Sequence, residues 1–171
     1  MIPAIVEAHL RRSYGAYEHL VHIPVFTARD LAAAEHVSGH RVAKLVVLRL
    51  KGELAIAVIA ATDRVNVRPL EEATAARAEL VQEEEFLERF RPCDPGAEPP
   101  LAMFGIPIYV DDKLIRERTI LLPAGTHEDA AVLETSEWVW CERVRPITNL
   151  GQRRPPDERR RRLRRARLPG E

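Results

Sequence analysis

The chain has 171 residues, 46% of them apolar and 30% charged, which fits a globular body and excludes collagen-like and wholly disordered classes. At about 150 residues per domain, that length predicts one domain with some chain left over. The formal net charge of zero hides a split. Nine arginines in 151–171 stand against Asp157, Glu158 and Glu171, so this segment carries +6 and the rest of the chain −6.

In chain order, Ile2, Ile5, Val6 and Leu10 recur at helical spacing over residues 2–13, and Gly15 can stop that helix. Tyr17 to Ile23 reads as a short strand interrupted by Pro24. Thr27-Ala28-Arg29-Asp30 resembles a capping box opening the helix ARDLAAAEH, with Gly39 in the turn beyond it. The runs VAKLVVLRL (42–50) and LAIAVIAA (54–61), joined by Lys51-Gly52-Glu53, predict a hairpin with a three-residue connection, buried on both faces. Lys44 is the one ammonium group inside it.

Pro69 to Ala76 and Glu83 to Phe90 read as helices, with room for a strand between them. Residues 91–107 hold five prolines plus Gly96 and Gly105, so a backbone-defined loop is expected there. IPIYV and TILLP read as strands around an Asp111-Asp112 turn, and AAVLE as the last strand. A helix capped by Thr135 or Ser136 then carries Trp138 and Trp140. From about Asn149 onward nothing apolar enough to bury is evident. The expected division is a folded domain over 1–148 and a flexible Arg-rich tail over 149–171.

The longest apolar run, Leu54 to Ala61, is far short of the roughly 20 residues a bilayer span needs. The N-terminus lacks the basic region and cleavage pattern of a signal peptide. Cys93 and Cys141 are too few for a disulfide framework or a cysteine-rich zinc site. A cytoplasmic, reduced setting with no membrane partner is expected. His36 and His40 sit four apart, but Gly39 lies between them and no third ligand is evident, so no metal is expected. There is no nucleophile elbow, P-loop or dinucleotide fingerprint. Cys93 reads as a bystander.

Four segments, taken together and in order, resemble one family. They are HIPVFTARDLAAAEHVSGHRVAKLVVL, LAIAVIAATDRV, CDPGAEPP followed by GIPIYVDDKLI, and LLPAGTHEDAAVLE. The set is similar to the YbaK/prolyl-tRNA synthetase-associated domain family, whose members hydrolyse wrongly charged aminoacyl-tRNAs, and it covers about residues 1–147. The resemblance implies an α+β fold, with helices around a mixed, strongly curved and barrel-like sheet. It implies trans-editing hydrolysis of the ester of a mischarged tRNA, with a small amino acid such as Ala, Ser or Cys. It further implies no cofactor, an aminoacylated acceptor end as partner, and a synthetase as a second candidate partner.

Carried over position by position, the family's lysine matches Lys44, and its glycine-to-proline substrate loop matches Gly96-Ala97-Glu98-Pro99-Pro100. Its late turn matches Gly125, Thr126 and His127, and its early strand and helix match His22 and Thr27. Lys44, Gly96, Ala97 and His127 are then the expected catalytic set; His22, Thr27, Pro100, Gly125 and Thr126 the substrate-binding set. Lys44 would supply fixed positive charge, and the Gly96 loop would supply N–H donors to the tetrahedral oxyanion. A lysine in an apolar strand ordinarily snorkels or sits at an edge, and a lone histidine ordinarily caps or faces solvent. Arg159, Arg160, Arg161, Arg162, Arg164 and Arg165 are the residues of the tail expected to bind tRNA phosphates. Leu101-Ala102 follows the proline pair where family members continue with Phe-Gly. That departure supports the alternative of a non-catalytic tRNA- or synthetase-binding module of the same fold.

Overall fold

The computed structural model of the chain describes residues 1–153; the arginines expected to grip tRNA lie outside the described residues. Ten strands and four α-helices follow one another as α1 (Ala4–Ser13), β1 (Glu18–Val21), α2 (Ala28–Ala34), β2 (Ala43–Leu50), β3 (Glu53–Ala60), β4 (Asp63–Val65), α3 (Arg68–Thr74), β5 (Ala78–Leu80), β6 (Ile108–Asp111), β7 (Thr119–Thr126), β8 (Asp129–Glu134), α4 (Thr135–Cys141), β9 (Arg145–Ile147) and β10 (Gly151–Arg153) among these residues. The class is α+β, as expected. The expected single barrel-like sheet is corrected: the strands form separate sheets ordered β5-β2-β3-β6-β9, β1-β8-β7 and β10-β4, and none closes or curls strongly. The first is mixed, because β6 runs parallel to both β3 and β9 while β2 is antiparallel to its neighbours.

The β2–β3 hairpin is the frame, and its connection is tighter than the sequence implied. Leu50 already faces Glu53, leaving a two-residue turn in which Lys51 and Gly52 both adopt positive φ, 51° and 83°. That is the turn whose twist matches the twist of its strands. Alternation along the hairpin sends Val47, Ile56 and Val58 into one core with Val6, Leu10, Ile120 and Trp138. Leu48, Ala57 and Ile59 enter a second core with Leu70 and Leu150. Thr27 caps α2 by accepting from the Asp30 N–H at 3.1 Å.

Several local expectations give way to tertiary context. Residues 83–90 form two short 3-10 turns rather than an α-helix. IPIYV and TILLP do not pair across Asp111-Asp112: β6 joins β3 and β9, whereas β7 joins β8. Glu134, not Thr135 or Ser136, occupies the cap position of α4, and its side chain makes no capping bond. Chain beyond 148 is also part of the fold, since Leu150 is fully buried and β10 pairs with β4.

No helix among the described residues is long and apolar enough to cross a membrane. Truncating a fully buried leucine costs about 2–5 kcal/mol through reduced transfer energy and the cavity left behind. Leu150→Ala is therefore expected to lower unfolding stability by about that much in urea titration, and an unchanged midpoint would return 149–153 to the tail.

Candidate functional site

Three chain segments meet beside the end of β2. Val42 forms an isolated parallel bridge with Leu121 of β7, which draws the two larger sheets together. The chain after β1 is pinned to the turn after β7, where the N–H groups of His22 and Val25 each donate at 2.9 Å to the carbonyls of Glu128 and His127. Gly125 closes the third side: its N–H donates to Ala97 O, and its carbonyl accepts from Asp94 N–H, both at 2.9 Å. At φ 97°, with Pro3 Cδ only 2.8 Å and Cys93 Sγ 3.2 Å from where a Cβ would lie, this turn requires glycine.

These segments wall a cavity of about 400 Å³. Of the residues expected from sequence, His22, Thr27, Lys44, Gly96, Ala97 and Thr126 line it. Lys44 is half-buried and donates from Nζ to the Asp63 backbone carbonyl at 3.1 Å. The carbonyl fixes the direction of the ammonium group. Asp63 itself is held by Lys113 at 2.9 Å, and Lys113 also reaches Asp111 Oδ2 at 3.3 Å and Gly151 O at 2.9 Å. Strand β10 therefore contributes to the support behind Lys44.

The other expected residues serve in less direct ways. His127 is not part of the cavity lining; its Nδ1 lies 3.1 Å from Val25 O, and its ring centroid lies 4.5 Å from that of Phe26. Pro100 is buried and accepts through its carbonyl from Trp138 Nε1 at 3.0 Å. The two threonine hydroxyls donate to carboxylates, Thr27 to Asp30 and Thr126 to Asp129. His22 Nδ1 lies 2.7 Å from Ile23 O, while its Nε2 is buried with no hydrogen-bond partner among the described residues.

The hydrogen bonds of the loop amides bear on the oxyanion expectation. The loop amides at Gly96 and Ala97 are engaged within the loop: Gly96 N–H donates to Glu98 Oε2 and Ala97 N–H to Asp94 O, each at 3.0 Å. The loop satisfies itself. Positive charge in the cavity falls instead to Lys44 and to exposed Arg29.

Sequence reasoning missed two cavity carboxylates, Glu98 and Asp129. Asp129 is 1% exposed; burial alone would raise its pKa, but hydrogen bonds from the terminal amine, Thr126 and His19 outweigh it and hold the group below the usual range. Burial pushes Glu98 above its ordinary value despite the bonds from its own and the Gly96 N–H. Burial also raises the Cys93 thiol to about 12, so it remains protonated and is no nucleophile. Among the described residues, no group of three His, Cys, Asp or Glu could hold a metal ion.

Behind the loop lies Glu142, whose side chain is fully buried. It lies 2.9 Å from His9 Nε2, accepts from the Tyr14 hydroxyl, and accepts from Ala102 N–H at 2.6 Å. Burial alone would raise this carboxyl, but those bonds, that from His9 first, hold it below its ordinary value.

Residues 22–139 match the aminoacyl-tRNA editing domain family. No curated protein matches the chain. Among solved structures, a hypothetical protein is 20% identical with a TM-score of 0.77, covering 86% of this chain and 99% of its own. A structure named as a candidate trans-editing enzyme for prolyl tRNA synthetase is 17% identical with a TM-score of 0.71, covering 83% and 93%. A scaffold used for computational epitope grafting is 15% identical with a TM-score of 0.74, covering 86% and 94%. At these identities the likeness to solved structures shows the fold.

Removing one member of a buried, bonded ionic group costs about 3–5 kcal/mol, so Glu142→Ala is expected to destabilise the protein by about that much in urea unfolding. The sign with pH follows from the depressed folded value. The contribution is fully present above the unfolded value, near 4.5, and drains as pH falls through the lower folded value. Wild type should lose stability more steeply on acidification than Glu142→Gln, and identical acid limbs would exclude this role.

Proposed function

The chain belongs to the aminoacyl-tRNA editing domain family, and we propose that it hydrolyses the ester bond of mischarged aminoacyl-tRNA in trans. The observation that carries this reading is Lys44, an ammonium group oriented by the Asp63 carbonyl in the wall of an otherwise largely apolar cavity. Water attacks the ester carbonyl carbon, and negative charge gathers on the carbonyl oxygen beside Lys44, where fixed positive charge lowers the barrier most. The proton from water passes by way of the neighbouring ribose hydroxyl to the departing ribose oxygen. The products are the free amino acid and uncharged tRNA. No protein nucleophile is required, because the ester is already activated and positioning supplies much of the acceleration.

The substrate side chain is small, namely that of Ala, Ser or Cys. Support comes from the wall itself, where Ala28, Ala43 and Ala61 contribute. A second sieve of this kind is chemically necessary, because one methylene gives a synthetase only about 1–3 kcal/mol of discrimination. His22, Thr27 and Thr126 shape the cavity around the terminal adenosine, and the Gly125 turn fixes the loop that carries Ala97.

Two measurements test the reading. Lys44→Ala should retain the wild-type unfolding midpoint and reduce ester hydrolysis on a panel of mischarged tRNAs by about 10²–10³-fold, the effect of deleting one electrostatic stabiliser. Wild-type turnover by the folded variant would refute the assignment, and binding without turnover by wild type would establish a binding module instead.

The second measurement concerns the basic segment. A chain ending at residue 153 keeps every described residue and removes the arginines from Arg154 onward. For every phosphate that the shortened chain no longer neutralises, the log–log salt slope should fall by about 0.7–0.9. KM for intact tRNA should therefore rise at low salt with kcat nearly unchanged, and equal KM values would exclude the tail from tRNA capture.

A further inference from the structure

Glu98 is a buried carboxylate, 6% exposed, in the wall of the same cavity as Lys44. It stands in the turn that Gly96 makes with φ 84°. Gly96 N–H donates to its Oε2 at 3.0 Å, and its own backbone N–H supplies a second bond. A carboxylate offers about four acceptor sites, so two remain. No ion pair reaches Glu98 among the described residues, and Glu83 and His127 act on it only through space. Asp129, the other carboxylate of the cavity, is already engaged by Thr126 and His19.

The chemistry of the substrate identifies what Glu98 serves. An aminoacyl ester of adenosine carries negative phosphate, neutral ribose and base, and a neutral side chain when the residue is Ala, Ser or Cys. Its one cation is the α-ammonium, two bonds from the reacting carbonyl. Resting on the deacylase reading above, we infer that Glu98 is a specificity-determining residue whose carboxylate receives the α-ammonium of the aminoacyl group. The substrate class is then narrower than esters of tRNA: free aminoacyl esters are accepted, and esters lacking the α-ammonium, such as N-acylated or peptidyl ones, are spared. An ammonium at this point would also relieve the uncompensated burial that now pushes the Glu98 carboxyl upward.

The test uses two isosteric substrates, alanyl-tRNA and its α-hydroxy counterpart lactyl-tRNA, with wild type and Glu98→Gln. Glutamine keeps an acceptor for the Gly96 N–H and removes the charge. The alanyl-to-lactyl ratio of kcat/KM should fall about tenfold or more in the variant, the size of one charge-assisted hydrogen bond. A variant that slows both substrates equally would overturn the inference and leave Glu98 a structural residue. Equilibrium binding of amide-linked 3′-alanylamido- and 3′-lactylamido-adenosine to both proteins gives a readout that needs no turnover. Failure of hydrolysis by wild type with retained preference for the alanyl analogue would refute deacylation but not ammonium recognition. Equal binding of the two analogues by wild type would refute ammonium recognition alone.

Discussion

The fully buried carboxylate of Glu142 constrains more of this molecule than any single apolar contact. Its partners are His9 on α1, Tyr14 just beyond it, and the backbone of Ala102 in the proline-rich loop. These segments are far apart in sequence, and a charge at this depth is tolerable only when all of them are in place. Apolar burial is indifferent to small sliding of a helix against a sheet; hydrogen bonds at 2.6 to 2.9 Å are not. Trp138 adds a second fixed point by donating to Pro100 O. The loop that delivers Ala97 and Glu98 to the cavity is therefore held from behind by α1 and α4, elements that contribute nothing to the cavity wall.

A comparable arrangement stands behind Lys44. Asp63 and Asp111 are nearly or fully buried, and Lys113 lies between them while also donating to Gly151 O. A Cβ at Gly151 would stand 2.8 Å from Asp63 Oδ2 and 3.0 Å from Asp111 Oδ2, so glycine is what lets β10 approach. With its carboxylate held by Lys113, Asp63 offers its backbone carbonyl to Lys44. The ammonium is thereby positioned in the cavity wall.

Period and turn chemistry made the hairpin, α1, α2 and β8 legible in the sequence, because each is specified by neighbours in the chain. The separate sheets were not legible. Whether β6 pairs with β7 or with β3 is decided by long-range register, and the short segment IPIYV looks the same either way. Strand β10 was hidden for a similar reason: Leu150 is a single apolar residue, and its burial depends on the core that Leu70 and Ile59 build. At the site, Lys44 stood out because an ammonium group in an apolar strand demands an explanation. Glu98 lay inside a segment already singled out, yet nothing local shows that its carboxylate folds back onto the Gly96 amide. That internal bond to the Gly96 amide was equally invisible in the sequence.

The electrostatics of the whole chain bear on how such a cavity meets its ligand. A body carrying −6 repels a polyanion over distances comparable to the Debye length, about 8–10 Å at physiological ionic strength. Inside the cavity the balance is local, with Lys44 and Arg29 supplying positive charge and Glu98 and Asp129 negative charge. Asp129 is offset by its ion pair with the terminal amine, so Glu98 is the carboxylate that faces the two cations without an ion pair among the described residues. That pattern suits a ligand whose own charges are of both signs and closely spaced, and it does little to draw in a long phosphate backbone. The +6 carried by residues 151–171 equals in magnitude the −6 of the rest of the chain, so the two parts of the chain act on a polyanion with opposite sign.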